Sequence, residues 1–581
     1  MLATGAVATA GAQRNDSTPP VPADTSRAAR REVADSVRSA RFCRGQPITR
    51  IDVDPEPPVF PRLFRRIPIL RDIDALPHST TRPDVVRNFL ALREGEPCTE
   101  LRRAESERIL RAQPFIATAR VLAFPDPGGG VRIVVQTVDE LSNVVGLALN
   151  GVRPSVLRFG DGNVGGRGVY ATGLWREGFA YRDGYGARLV AYQMLGRPYQ
   201  LSAEYLRRPI GGRQTVEFSH PFLTDLQRVA WRATAGTVDQ QFGFQRDGVD
   251  ASTLIASREY WDAGGVVRIG APGRLSLFGA SVSRETEATD AAPIQYRRAG
   301  PAPDTASLLF DRYARTRNAR VNALWGVRNI SFLRVEGFDA LTAEQDVRTG
   351  FQFGTLLGRS LSVLGSTDDD IFTAADVYGG MGSPRSFLAF QAQGEGRQDG
   401  DTERWDAILA AGRTTWYAKP HERHTFTATA EYTGGWRQRV PFQLVFRDRE
   451  GGLRGYRESR SAGAQRLVAR VEERWRLGVF RSADFGISAF GDAGKLWAGD
   501  APYGVTTPVR YGAGVGLLGS PRNSQKLYRV ELGFPLSPDR HARFELRVRT
   551  TDAATTTYWV APDDIRRSRG RTLPTSVFTW P

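Results

Sequence analysis

From about residue 141 onward, apolar and polar side chains take turns in runs of about ten residues, the period expected of strands with two unlike faces. TFTATAEYT puts Phe426, Ala428, Ala430 and Tyr432 on one side and Thr425, Thr427, Thr429, Glu431 and Thr433 on the other. RLVARVEERWRL divides the same way, with Leu467, Ala469, Val471, Trp475 and Leu477 against Arg466, Arg470, Glu472, Arg474 and Arg476. LYRVELGF and ARFELRVR repeat the scheme, with Tyr528, Val530, Leu532 and Phe534, then Ala542, Phe544, Leu546 and Val548, on the apolar side. A soluble sandwich also alternates, but its water-facing side seldom holds so many Arg and Glu in register. A closed barrel with an apolar exterior and a polar lumen explains the pattern better. Residues 141–550 suit about sixteen strands of about ten residues each, with turns and long outer loops. The stretches 285–310 and 357–403 read as such loops.

Ahead of this region the period changes. ITRIDVDP, residues 48–55, alternates like a short strand, and a Pro-rich insertion follows it to about residue 80. T-R-P-D from Thr81 fits a helix start with Thr81 as cap, and Val85, Phe89 and Leu92 share a face before Gly95 stops the helix. A second helix from about Thr99 places Leu101, Ala104, Ile109 and Ala112 together. ATARVLAF and VRIVVQTVDE, joined by PDPGGG, close a β-α-α-β-β unit over residues 46–140. The expected fold is therefore membrane all-β: a transmembrane barrel preceded by one small α+β domain.

The first residues, MLATGAVATAGAQ, resemble the end of a secretory signal peptide over residues 1–12, though the basic start is missing and the apolar core is short; an Ala-rich tail is the alternative. Residues 13–45 read as a linker rich in Pro, Ser, Asp and Arg. Cys43 and Cys98 are the whole thiol inventory. An oxidising compartment would let them pair across the small domain, and two thiols alone make a poor metal site; whether they pair stays open. No run of about 18 apolar residues occurs, which argues against a membrane helix and leaves a barrel untouched. The 581 residues carry a formal charge of +16, most of it Arg. That excess suits lipopolysaccharide phosphates outside and a hydrated lumen inside. Nucleic acid is the poorer account, because the Arg residues are spread over alternating strands rather than gathered in one patch.

Two motifs fail on context. Gly160, Gly162 and Gly165 match G-x-G-x-x-G, which works by opening a helix, but RGVYATGLW follows as a strand. His421 and His424 in HERH lack a third ligand and begin a strand, so no metal is expected. G-x-S-x-G, the P-loop and H-E-x-x-H are absent from the sequence. No enzyme activity and no cofactor are expected.

The long connection VPFQLVFRDREGGLRGYRESRSAG, within residues 436–464, is too long for a hairpin turn. Its centre holds Gly452, Leu453, Arg454, Gly455 and Tyr456; downstream come Glu472 with Arg474 and then F-G-D-A-G, with Phe490, Asp492 and Gly494. This series resembles the V-R-G-[FY], E-x-R and F-x-D-x-G motifs of the BamA/TamA family of bacterial outer-membrane proteins. Asn163, Gly166 and Gly168 resemble the N-x-x-G-x-G that opens the family's early strands. Residues 46–140, with the ending ERILRAQPFIATARV and the GGG turn, are similar to its periplasmic POTRA domain. The chain departs from the family in having only Leu453 between the Gly-Gly pair and Arg454, and in ending on a tail, 551–581, in which Phe578 and Trp580 are the candidate closing aromatics, a tail that plugs or extends the barrel being the alternative.

The resemblance implies a loop folded back into the lumen, with Arg454 held by Asp492 and Glu472. A guanidinium taken out of water needs a partner matching its planar fork, which a carboxylate supplies and which Lys could not use. It also implies a bacterial outer-membrane location with the small domain in the periplasm. The implied role is an assembly or insertion factor, whose domain receives client chains by strand addition and need not bear catalytic residues. Expected partners are membrane lipids and lipopolysaccharide, client outer-membrane or secreted proteins and periplasmic accessory proteins, with no nucleic acid. A secretion pore for a dedicated passenger is the alternative, and a passive porin or barrel enzyme a third reading.

Overall fold

The computed structural model describes residues 42–58 and 79–552, apart from 151–152, 180–181, 209, 247–248, 298–299, 306, 448–450, 481–482, 522–523 and 538–543. The signal-like start at 1–12, nearly all of the linker, most of the Pro-rich insertion, and the tail with Phe578 and Trp580 lie outside the described residues.

The small domain runs β1 (Arg44–Glu56), α1 (Pro83–Asn88), β2 (Pro97–Thr99), α2 (Glu100–Arg111), β3 (Ile116–Pro125) and β4 (Val131–Asp139). Its sheet has the order β2-β1-β4-β3, with β1 parallel to β4 and β3 antiparallel to it. Ile51, Val85, Phe89, Leu110, Val121 and Ile133 form the core beneath the helices. Cys43 and Cys98 are joined as a disulfide that ties the entry of β1 to β2.

Two local expectations change. Thr81 does not cap α1; the cap position is Arg82, and both the amide and the hydroxyl of Thr81 donate to Asp139 instead, at 2.6 and 2.7 Å. The second helix is capped by Thr99, as its spacing suggests, but Leu101 is 47% exposed, and Ala104 and Ala112 are exposed with it. The buried residues are Arg103, Ser106, Glu107, Ile109, Leu110 and Arg111. The reason is tertiary: α2 lies between its own sheet and the barrel, so a charged stripe is covered where an isolated domain would leave it in water.

The barrel wall counts twenty antiparallel strands among the described residues, from Asn143–Asn150 to Glu545–Asp552, and those two lie side by side to close the ring. This exceeds the sixteen allowed from length. The first six strands are only 8–11 residues long. Moreover, 285–310 and 357–403 are not long loops. The first continues the strand Arg274–Thr289 into a small hairpin, and the second is mostly the strands Glu344–Ser360, Asp370–Ser383 and Ser386–Asp399. Aromatics on the lumen face, Phe372, Tyr378 and Phe387, and glycines on the outer face, Gly379, Gly394 and Gly396, mask the alternation there.

Burial is inverted relative to a soluble fold. Phe278, Trp325, Phe351, Leu357, Val471 and Leu546 stand exposed on the outside, while Arg258, Glu285, Arg320, Arg397, Glu472 and Asp492 are buried within. Such a surface is stable only against an apolar medium, and a closed ring leaves no strand edge unpaired in it. The register makes this inside and outside strict, because side chains alternate along every strand.

Candidate functional site

The connection between the strands His424–Trp436 and Gln465–Phe480 leaves the barrel at the mouth far from the small domain and turns back into the lumen. A two-residue pairing, Leu444–Val445 with Ala462–Gly463, forms its neck. Phe446, Leu453 and Tyr456 are fully buried and pack with Leu409, Val468 and Leu496 of the wall. This apolar plug brings the loop tip in and leaves Arg454 to be satisfied.

Arg454 is 3% exposed. Its Nε and Nη2 donate to the two oxygens of Asp492 at 2.8 and 2.6 Å, its backbone amide to Asp492 Oδ2 at 3.1 Å, and its Nη1 to Glu472 Oε2 at 3.1 Å. The guanidinium carbon lies 3.5 Å from the centroid of the Phe490 ring, a cation over an aromatic face. Glu472 also accepts from Arg474 Nε at 2.6 Å and from Arg529, and Arg529 lies 3.1 Å from Glu531. Glu531 stands 3.6 Å from Arg454, and Glu545 accepts from the Gly455 amide at 3.3 Å. The cluster therefore spans the strands Gln465–Phe480, Ala483–Trp497, Lys526–Pro535 and Glu545–Asp552.

Space explains the small residues around it. Gly455 has φ +88, and a Cβ there would meet the backbone of Phe534 and Pro535 at 2.9–3.0 Å. At Gly452 a Cβ would overlap the Phe446 carbonyl, and Arg470 donates to the carbonyls of both Gly451 and Gly452, at 3.0 and 2.6 Å. Leu453 occupies the gap left by Gly494. Tyr456 donates its hydroxyl to the Tyr511 carbonyl at 2.8 Å.

The structure thus brings Gly452, Leu453, Arg454, Gly455, Tyr456, Glu472, Arg474, Phe490, Asp492 and Gly494 together. It adds Arg529, Glu531 and Glu545, which sequence reasoning passed over. The signal was present for all three, since alternation in LYRVELGF and ARFELRVR puts them opposite the apolar face. The same reading missed Phe338. A turn at the mouth beside the small domain folds inward, Phe338 stacks on Tyr417 with ring centroids 4.8 Å apart, and the Phe338 carbonyl accepts from Arg474 Nη1 at 2.6 Å.

Asn163, Gly166 and Gly168 lie elsewhere, at the seam between domain and barrel. Asn163 donates to Thr81 Oγ1 at 2.8 Å and accepts from the Gly168 amide at 2.7 Å; the Gly166 carbonyl accepts from the Arg82 amide at 2.9 Å. Burial pushes the Asp139 carboxyl up to about 6 even though Thr81 donates to it twice. Further round the rim, Arg111 is bidentate on Asp346, Glu107 meets Arg334, and Arg120 donates to Glu344 at 3.2 Å. Burial pushes the Glu107 carboxyl up, but Arg111, Arg334 and Arg103 outweigh it and hold it down to about 2. His421 and His424 sit with ring centroids 6.0 Å apart, and His424 faces Glu473 at 3.4 Å.

No family model matches the chain, and no curated protein matches it. Among solved structures it is similar to BamA from Haemophilus ducreyi lacking POTRA domains 1–3, at 11% identity over 91% of this chain and 94% of that one, with a TM-score of 0.34. CdiB from Escherichia coli is similar at 12% identity, over 87% and 76%, with a TM-score of 0.41. CdiB from Acinetobacter baumannii is similar at 8% identity, over 87% and 74%, with a TM-score of 0.39.

Proposed function

We propose that this chain is a BamA/TamA-type assembly factor of the bacterial outer membrane, with its small domain in the periplasm. It receives client chains and inserts them through the barrel. The observation that supports this best is the burial of Arg454 between Asp492 and Glu472 at the tip of a loop that enters the lumen. A passive pore has no need to desolvate a guanidinium at such cost. A loop that must hold one position while the wall opens beside it does, because a buried bidentate pair fixes geometry more than it adds stability. In the small domain, β3 is the outermost strand of its sheet on the side away from β2, with its main chain at Val121 already bonded to Glu107 and Arg103 of α2. An edge of that kind recognises extended chains by main-chain hydrogen bonds.

The test is reconstitution of the full chain in liposomes with an unfolded test barrel. Folding of the test barrel should be accelerated by the wild type and not by Arg454→Ala. Equal folding in empty liposomes would defeat the proposal. Translocation of one dedicated passenger without any insertion would instead make the chain a secretion pore.

A further inference from the structure

The outer face of the wall is not smoothly convex. A trough of about 1230 Å³ crosses the exterior of the eight strands from Arg153–Asp161 to Arg274–Thr289. Its floor is made of small residues, Ala171, Gly173, Ala187, Ala203 and Ala235. Phe159, Leu189, Tyr205, Val216 and Trp261 rise along it, each 41–65% exposed. The register fixes this arrangement: Trp261, Ala235, Val216, Ala203, Leu189 and Ala171 are successive cross-strand partners, so large and small side chains alternate along one row.

A polar row, Gln214, Thr237, Glu259 and Thr286, borders the trough along one edge, with Arg284 beside it. On the strand Val249–Ala271 the outward residues Ile269, Val267 and Trp261 are apolar, and Glu259 follows them; on Arg274–Thr289, Phe278 and Val282 give way to Arg284 and Thr286. Arg284 pairs with Trp261 across the strands and is exposed. The turn joining these two strands lies at the mouth beside the small domain, since Gly273 donates to Asp225 and neighbouring Leu223 accepts from Arg108 of α2. Arg284 therefore marks the opposite limit of the apolar band.

We infer that this trough binds a lipid of the outer leaflet, an acyl chain lying along its floor and a headgroup phosphate at Arg284. The inference rests on the membrane placement proposed above. A hollow on a lipid-facing wall is filled by hydrocarbon, a Trp at the band's limit suits the headgroup level, and the guanidinium supplies the planar donor fork that phosphate takes. Glu259 and Thr286, partners across the strands beside Arg284, offer acceptors to headgroup hydroxyls. Phosphatidylglycerol and lipid A share this chemistry.

The full chain, stripped of lipid in detergent, would be offered phosphatidylglycerol, lipid A or phosphatidylcholine, and the lipid it retains measured by mass spectrometry. Wild type should retain lipid A at least tenfold better than phosphatidylcholine, and retention of phosphatidylglycerol but not lipid A would overturn the placement in the outer leaflet. Ala203→Phe and Ala187→Phe, which fill the floor, should each lower that retention about tenfold, and Arg284→Gln should abolish the headgroup preference. Equal retention of all three lipids by the wild type, undiminished retention by the filled variants, or a bound peptide in place of lipid would overturn the inference. Insertion into vesicles serves as the control. A protein that inserts yet retains no lipid contradicts the trough alone, whereas one that fails to insert contradicts the membrane placement.

Discussion

Arg474 donates to the carbonyl of Phe338 at 2.6 Å, and through that bond a turn at one mouth of the barrel reaches the cluster that holds the loop from the other. The strands on either side of the turn carry Arg334 and Glu344, with Asp346 two residues on, and these are the residues that meet Glu107, Arg120 and Arg111 of the small domain. Arg474 also binds Glu472, and Glu472 binds Arg454. Polar contacts at the two ends of this turn thus join α2 to the loop tip through the turn's own backbone. Arg474→Ala should loosen both the turn and the loop tip: amide exchange should rise in residues 337–343 and in 451–456 together. A rise confined to one segment would show that the contacts do not couple.

Arg454 and Asp492 act as one unit. Removing Arg454 strands Asp492 in the lumen, and removing Asp492 leaves Arg454 with only Glu472 within hydrogen-bond reach, at a cost of up to about 3–5 kcal/mol. Arg454→Ala and Asp492→Ala should therefore lower thermal stability in detergent by similar amounts, and the double variant should be little worse than either. Arg454→Lys should recover only part of the loss, since Lys has charge but no fork. Strictly additive losses in the cycle would count against a contact.

Gly455 tests the loop's path without touching charge. With φ +88 and the backbone of Phe534 and Pro535 in the way, Gly455→Ala cannot keep the tip where it lies. Protease cleavage within 451–456 should appear in that variant and be absent from the wild type. Resistance equal to wild type would mean that the tip is held by its apolar plug alone.

Much of this was legible beforehand, and the exceptions share a cause. Period-two alternation revealed the barrel because each strand has one lipid face and one lumen face; the Arg454, Glu472 and Asp492 triad was what the resemblance to the BamA/TamA motifs implied, with parity adding only that the charges point inward. What alternation could not report was the use made of a buried polar face. Arg103, Glu107 and Arg111 look like a solvated stripe until the barrel rim covers them, and Thr81 looks like a cap until Asp139 and Asn163 claim it. The strands within 357–403 were hidden for a related reason: where the lumen face carries Phe372, Tyr378 and Phe387 and the outer face several glycines, the contrast between faces is too weak to show a period.

The domain junction should carry a pH signature with two opposed limbs. Asp139 titrates near 6 when folded against 3.8 ordinarily, so the folded junction holds an extra proton between those values. Its stabilising effect is full below about pH 4 and is lost as pH rises through 6. Glu107 behaves oppositely: held down to about 2 against 4.5, it contributes fully above about pH 4.5 and loses that contribution as pH falls toward 2. Docking of the small domain should therefore be firmest near pH 4–4.5 and weaken on both sides, each limb amounting to at most about 3 kcal/mol because Thr81, Arg103 and Arg111 act on these carboxyls from within the domain itself. Limited proteolysis across pH 2–8, scored at the junction, measures it. Asp139→Asn should flatten the neutral limb and Glu107→Gln the acid one. If each variant instead shifts both limbs together, the two carboxyls are not the titrating groups.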